Sequence, residues 1–323
     1  MNHLTEQYLN PMFRLNKAYA LNTDLSKAQN FSLSYNNRYL AFISGGHLQV
    51  IDLINNQAVL KNKSLSEAGL VLSYKWLPDR NGMIYLTQSH SNPDRPAALF
   101  SLDLDPATSN PRQVEPRLER SLNIFISEVM DIGVSTYTNN LFVLYRDEEL
   151  KCKLMTIDIM KNINRLDDPL ESILSLAVSN KYGTLYIESL KEGQKAIYAV
   201  IGRERHLVTD DPQEILLGCQ DELLFIGELA GNTLREISLY THNSSSIQYT
   251  KLLWQGDIPY ARAEVFISSD QKVFILDKEN IVIIYPDGSS KSKEILYRPV
   301  FSPVGKMYLE INPTRNEYFW RKS

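Results

Sequence analysis

From residue 31 onward the chain is a procession of short apolar runs rich in Ile, Leu, Val, Tyr and Phe. Each run is bounded by Asn, Asp, Gly, Ser or Pro, which is how strands separated by turns read in a sequence. The stretch SYNNRYLAFISGGHLQVIDL, residues 34–53, sets the pattern. A strand from Tyr39 to Ser44 meets the turn Gly45-Gly46, and a second strand runs from His47 to Leu53. The same succession recurs, with a third strand often closed by DL or DI and a weaker fourth. First strands start roughly 36 to 57 residues apart, mostly in the low forties, which is the period of a four-stranded propeller blade.

The repeat predicts an all-β chain forming one domain, a seven-bladed β-propeller. Its blades span 31–62, 70–116, 126–167, 172–209, 212–255, 261–296 and 297–322. The last unit runs out after three strands, and residues 12–20 are left over at the other end. We therefore expect a strand at about residues 13–20 to complete the seventh blade and close the ring, which leaves no open edge there. Stacked blades cover each other, which accounts for strands that are apolar on both faces. Sustained helical spacing is nearly absent, and the helical candidates are short: residues 3–9 and 165–172.

Three stretches carry a family likeness. SYNNRYLAFISGGHLQVIDL, YKWLPDRNGMIYL (74–86) and FSPVGKMYLEI (301–311) resemble the repeat of TolB-like propellers and of the propellers that precede the hydrolase in dipeptidyl and oligopeptidyl peptidases. In that family an SPDG-type turn joins the first two strands. Here the turn reads YNNR, PDRNG and PVGK, and the likeness weakens in the middle units. It implies an architecture spanning nearly the whole chain, shared by assembly factors, binding scaffolds and gating domains.

No catalytic motif stands out. GxSxG, HExxH and a Gly-rich phosphate loop are all absent. None of His3, His47, His90, His206 and His242 lies at ligand spacing from another, and His47 reads as a solvated turn residue. LDLDP (102–106) and TDDPQE (209–214) lack the ligand offsets of a calcium loop and read as turns. Cys152 and Cys219 are too few for a disulfide framework or a zinc cage and read as buried thiols. We expect no cofactor and no metal.

The net charge of -4 gives no field for nucleic acid. No apolar run approaches the roughly 20 residues that span a bilayer. The first residues do not read as a signal peptide. The compartment stays open: cytoplasmic, or extracytoplasmic if a leader has been removed.

Function is therefore sought on loops. Three long connections border the second blade: 61–69, 87–98 and 115–125, expected to rise on one face. They bring His90, Asp94, Arg95, Arg117, Arg120 and Phe125, an arginine and aromatic set typical of protein-recognition surfaces. Trp76, Trp254 and Trp320 fall inside strands and are assigned to packing between blades. The reading favours a monomeric, non-catalytic scaffold for a protein or peptide partner. Its alternatives are a lyase or hydrolase with carboxylates converging at the channel mouth, and a carbohydrate or cell-wall binding module.

Overall fold

The computed structural model describes residues 15–60, 69–88, 96–104, 114–166, 172–202, 204–242, 246–260, 264–277 and 279–323. Two compact units divide the chain. One holds residues 1–124 and 295–323, the other residues 125–294.

The strands follow the repeat in chain order. β1 (Ala18–Ala20) comes first. Blade 1 is β2 (Ala28–Leu33), β3 (Tyr39–Ser44), β4 (His47–Asp52) and β5 (Gln57–Ala58). Blade 2 is β6 (Leu70–Trp76), β7 (Gly82–Gln88), β8 (Ala98–Asp103) and β9 (Arg117–Ser121). Blade 3 is β10 (Glu128–Ser135), β11 (Asn140–Arg146), β12 (Cys152–Ile157) and β13 (Ile163–Arg165). Blade 4 is β14 (Ser172–Val178), β15 (Leu185–Lys191), β16 (Gln194–Ile201) and β17 (Glu204–Thr209). Blade 5 is β18 (Glu214–Gln220), β19 (Leu223–Ala230), β20 (Thr233–His242) and β21 (Ile247–Pro259). Blade 6 is β22 (Val265–Ile267), β23 (Val273–Asp277), β24 (Asn280–Ile284) and β25 (Ser290–Glu294). Blade 7 is β26 (Pro299–Phe301), β27 (Met307–Asn312) and β28 (Glu317–Lys322).

Each blade is a four-stranded antiparallel sheet in sequence order. The seventh takes β1 as its fourth strand, with Tyr19 opposite Tyr318. The expected closure is present, though the strand is shorter than 13–20; residues 13 and 14 lie outside the described residues. Blade 1 begins at Ala28 rather than residue 31. The larger correction is in blade 2. Its fourth strand is β9, residues 117–121, beyond the end of the span 70–116 read from the sequence. The bland polarity of this outer strand gave no periodicity by which to fix its register. Of the helical candidates, 3–9 lies outside the described residues. In 165–172, Arg165 ends a strand and Ser172 starts one. The described residues contain no α-helix.

Burial grades across each sheet. The second strand is buried on both faces, as in β3 and β11, while outer strands such as β9 and β25 are mostly exposed. Tryptophans seal the junctions. Trp76 packs with Tyr39, Val50 and Met83 between blades 1 and 2. Trp320 packs with Phe42 and Leu40 between blades 7 and 1. Trp254 packs with Phe225 and Val273 between blades 5 and 6. Burying a side chain of this size is worth about 3 kcal/mol or more of apolar transfer, so these junctions carry much of the stability.

A recurrent turn joins the first two strands of a blade. Ser34, Ser135, Ser179, Ser268 and Ser302 are each fully buried where the first strand ends. Their hydroxyls accept backbone N–H groups from Tyr39, Thr138, Tyr182, Lys272 and Val304, at 3.1 to 3.3 Å. A left-handed residue follows three or four positions on: Asn37, Asn139, Gly183, Gln271 or Gly305. At Gly183 a Cβ would also strike Thr138 of the preceding blade's turn. These turns link blades as well as strands: Ser135 donates to the Asn180 carbonyl at 2.7 Å, and Ser179 to the Asp221 carbonyl at 2.7 Å.

Candidate binding surfaces

Register fixes one end of blade 2. Leu70 lies opposite Gln88, Thr87 opposite Ala98, and Ala98 opposite Ser121. The entrance to β6, the link between β7 and β8, and the exit from β9 therefore share one end of the sheet. The Gly45-Gly46 turn of blade 1 meets this end, since Val71 donates to the Gly46 carbonyl at 2.8 Å. The exit from β9 is tied down as well: Ala97 donates to the Ile124 carbonyl, and Leu122 to that of Ala97, both at 2.8 Å.

The predicted residues divide on this frame. His90, Asp94 and Arg95 lie outside the described residues. Arg120 stands at the loop end of β9, exposed, with no ion pair among the described residues. Arg117 does not share that place. It pairs with Ser101 in the ladder, three residues before Arg120, and its guanidinium lies 3.5 Å from Glu119. Leu118 is exposed between the two arginines. Phe125 is half-buried and opens the second unit.

Sequence reasoning missed a second surface, at one end of blade 3. Val134 pairs with Leu141, Leu141 with Ile157, and Ile157 with Ile163. The turns 136–139 and 158–162 therefore emerge side by side, about 10 Å apart from two strand spacings. They hold Tyr137 at 72% exposure, Ile159 at 62% and Met160 at 75%. Both turns are held firmly. Asp158 accepts from Asn162 backbone N at 2.8 Å and from its Nδ2 at 2.9 Å, and Lys161 takes the left-handed position. These Asn162 hydrogen bonds hold the Asp158 carboxyl below its ordinary range. In the other turn Thr136 donates to Asn180 Oδ1 at 2.7 Å. Asn139 and Asn162 are exposed and Thr136 and Thr138 half-buried around the apolar tip. The signal was present in DIMKN, residues 158–162, which places apolar side chains where turns normally carry polar ones.

Elsewhere the polar chemistry is local. Asp211 of TDDPQE accepts from Gln213 N at 2.8 Å, the behaviour of a turn residue. No cluster of three or more His, Cys, Asp or Glu with metal-binding geometry occurs among the described residues. Burial raises the Cys152 thiol, which lies 3.6 Å from the Ile173 carbonyl. No helix among the described residues is long and apolar enough to cross a membrane.

This architecture defines a class, the seven-bladed β-propellers, and solved structures share it. The β-propeller domain of Cps50 (Swd1) from Myceliophteria thermophila is similar at 11% identity and TM-score 0.58, covering 95% of this chain and 100% of that one. An uncharacterized protein of Listeria monocytogenes EGD-e is similar at 10% identity and TM-score 0.59, covering 94% and 97%. No protein-family model and no curated protein matches the chain. The likeness to TolB-like repeats is one of architecture.

Proposed function

We propose that the protein is a non-catalytic scaffold that binds a protein or peptide partner through turns held on rigid blades. The observation that supports this reading is the exposed set Tyr137, Ile159 and Met160 on two hydrogen-bonded turns at one end of blade 3. Large apolar side chains in water, rimmed by polar groups, form the composition of an interaction hot spot. Rigid turns reduce the ordering cost on binding.

The test is a photo-crosslinking amino acid at position 160, with position 291 as an exposed control on β25. A protein crosslinked from 160 and not from 291 is then purified and its affinity measured. The triple variant Tyr137→Ser, Ile159→Ser, Met160→Ser should bind it at least tenfold more weakly, with an unchanged circular dichroism spectrum. Equal crosslinking at both positions, or equal affinity of the triple variant, removes the proposal.

A second contact region is proposed around Arg120 at the loop end of blade 2, with His90, Asp94 and Arg95 of the connection 87–98 as expected contributors. It is favoured by Arg120 and Leu118, both exposed on β9, the arginine having no ion pair among the described residues. Replacing Arg95, Arg117 and Arg120 together by Ala should weaken the same partner. No change in affinity excludes this region.

A further inference from the structure

His242 closes β20 at the junction of blades 4 and 5. Its ring is 2% exposed, and neither imidazole nitrogen has a hydrogen-bond partner among the described residues. Tyr182 meets it edge-on at 5.0 Å and 71°, and Tyr186 at 6.0 Å and 84°. Buried polar groups are nearly always paired, so an imidazole with no hydrogen-bond partner among the described residues calls for an explanation.

The surroundings form a clasp. From blade 4, the Ser179 hydroxyl donates to the Asp221 carbonyl at 2.7 Å. Lys181 Nζ lies 3.4 Å from Glu222 Oε2, and the same ammonium lies over the Tyr182 ring. From blade 5, the His242 backbone N–H donates to the Glu222 carbonyl at 2.8 Å. Two turns thus meet over one imidazole. The titratable and charged groups around it are Lys181 and Tyr182 on one turn, Asp221 and Glu222 on the other, Tyr186 on β15, Cys219 on β18 and Tyr240 on β20. Glu222 is turned to Lys181 at the rim, and none of these groups accepts a hydrogen bond from the His242 ring.

We propose that His242 is an acid-sensitive latch: protonation opens the clasp between the Ser179–Gly183 turn and the Asp221–Glu222 turn while both sheets stay folded. A neutral imidazole fits among aromatic rings. An imidazolium has two N–H donors and a full charge, and neither nitrogen has an acceptor among the described residues. Water must enter, and the weakest contacts over the ring are the two turns. Burial disfavours the charged form in the closed state, which places the transition on the acid side of an ordinary histidine. Opening would uncover the apolar packing of Tyr186, Leu216 and Leu224 beneath.

The test is hydrogen exchange on peptides covering 179–187 and 219–225, corrected for intrinsic rates, at pH 7.5 and pH 5. The wild type should lose at least tenfold protection in both peptides at pH 5, with β11 and β23 unchanged. His242→Phe should abolish the difference. Glu214→Gln should leave it intact; this carboxyl, which interacts with Tyr240, is raised by burial and serves as the control. Equal protection of the wild type at both pH values overturns the latch, as does acid opening that survives His242→Phe or disappears in Glu214→Gln. If His242→Phe does not fold, the wild-type imidazole is titrated by NMR. A midpoint below 6.5 that coincides with loss of the Tyr182 ring contact supports the latch. An ordinary midpoint, or titration without loss of that contact, overturns it.

Discussion

Trp76 donates its indole N–H to the carbonyl of Ser32 at 3.3 Å, joining the last residue of β6 to the first strand of blade 1. The bond sits at the edge of a cluster in which both blades contribute aromatic and aliphatic side chains. It gives the junction a direction as well as apolar area. Trp76→Phe should cost about 1 kcal/mol, the net worth of one hydrogen bond plus a small loss of area. Trp76→Ala should cost about 3–5 kcal/mol through the cavity it leaves. Urea midpoints compare the two. Equal losses for Phe and Ala would show that the hydrogen bond, and not the packing, dominates the site.

The turn that opens the repeat makes a sharper prediction. Gly45 and Gly46 both have positive φ, 60° and 80°. A Cβ on Gly45 meets nothing within 4 Å, whereas one on Gly46 would sit 2.6 Å from Leu70 Cδ2 in blade 2. Gly45→Ala should cost about 1 kcal/mol of backbone strain. Gly46→Ala adds displacement of Leu70 to that strain and should be clearly more destabilising. Thermal unfolding of the two variants decides it, and equal shifts would remove the clash argument.

Two groups, the buried His242 and the half-buried Glu214, should give opposite pH dependences. Burial lowers the His242 pKa from the ordinary 6.5, so the folded state binds fewer protons than the unfolded one. Its contribution to stability is present above 6.5 and is lost as pH falls through the folded value. Burial raises the Glu214 carboxyl from 4.5, so the folded state binds more protons. Stability from Glu214 is therefore recovered as pH falls through that raised value. Between pH 7.5 and 5, His242→Phe should flatten the acid loss and Glu214→Gln should deepen it. Urea midpoints across that range test both signs at once.

Cys152 should be a slow thiol. Burial raises its pKa, and its sulfur is held near the Ile173 carbonyl and Met130 Sδ. The thiolate is the reactive form, so native protein at pH 8 should alkylate at Cys152 at least tenfold more slowly than unfolded protein. Mass spectrometry of iodoacetamide-treated peptides reads this directly. A native rate equal to the unfolded one would mean that the site opens freely.

Removing Ile159 and Met160 from water should not harm the fold. Their side chains are exposed on a turn held by Asp158 and Asn162. Ile159→Ser with Met160→Ser should change stability by less than about 0.5 kcal/mol. Asp158→Ala should cost more, about 1 kcal/mol, because it removes the acceptor of two turn hydrogen bonds. Thermal melts that reversed this order would assign the apolar pair a packing role.

What the sequence determined by itself was local and repetitive. Short apolar runs, turn residues between them and a period near forty are properties of the chain read along its length, so strands, blades and the β1 closure could be read from them. The turns YNNR and PVGK were legible for the same reason: Ser34–Asn37 and Ser302–Gly305 each complete their backbone hydrogen bonds within a few residues. Tertiary structure decided what depends on register and on contacts between blades. β9 has no apolar pattern, so only its pairing with β8 could place Arg120 at the loop end and Arg117 away from it. Tyr137 and the Ile159–Met160 pair are brought to one end because β11 and β12 pair in one register and not another. His242 looks like any isolated histidine in sequence. Its burial against Tyr182 and Tyr186 exists only once blade 5 packs on blade 4, because desolvation is a property of the assembled surroundings and not of the residue.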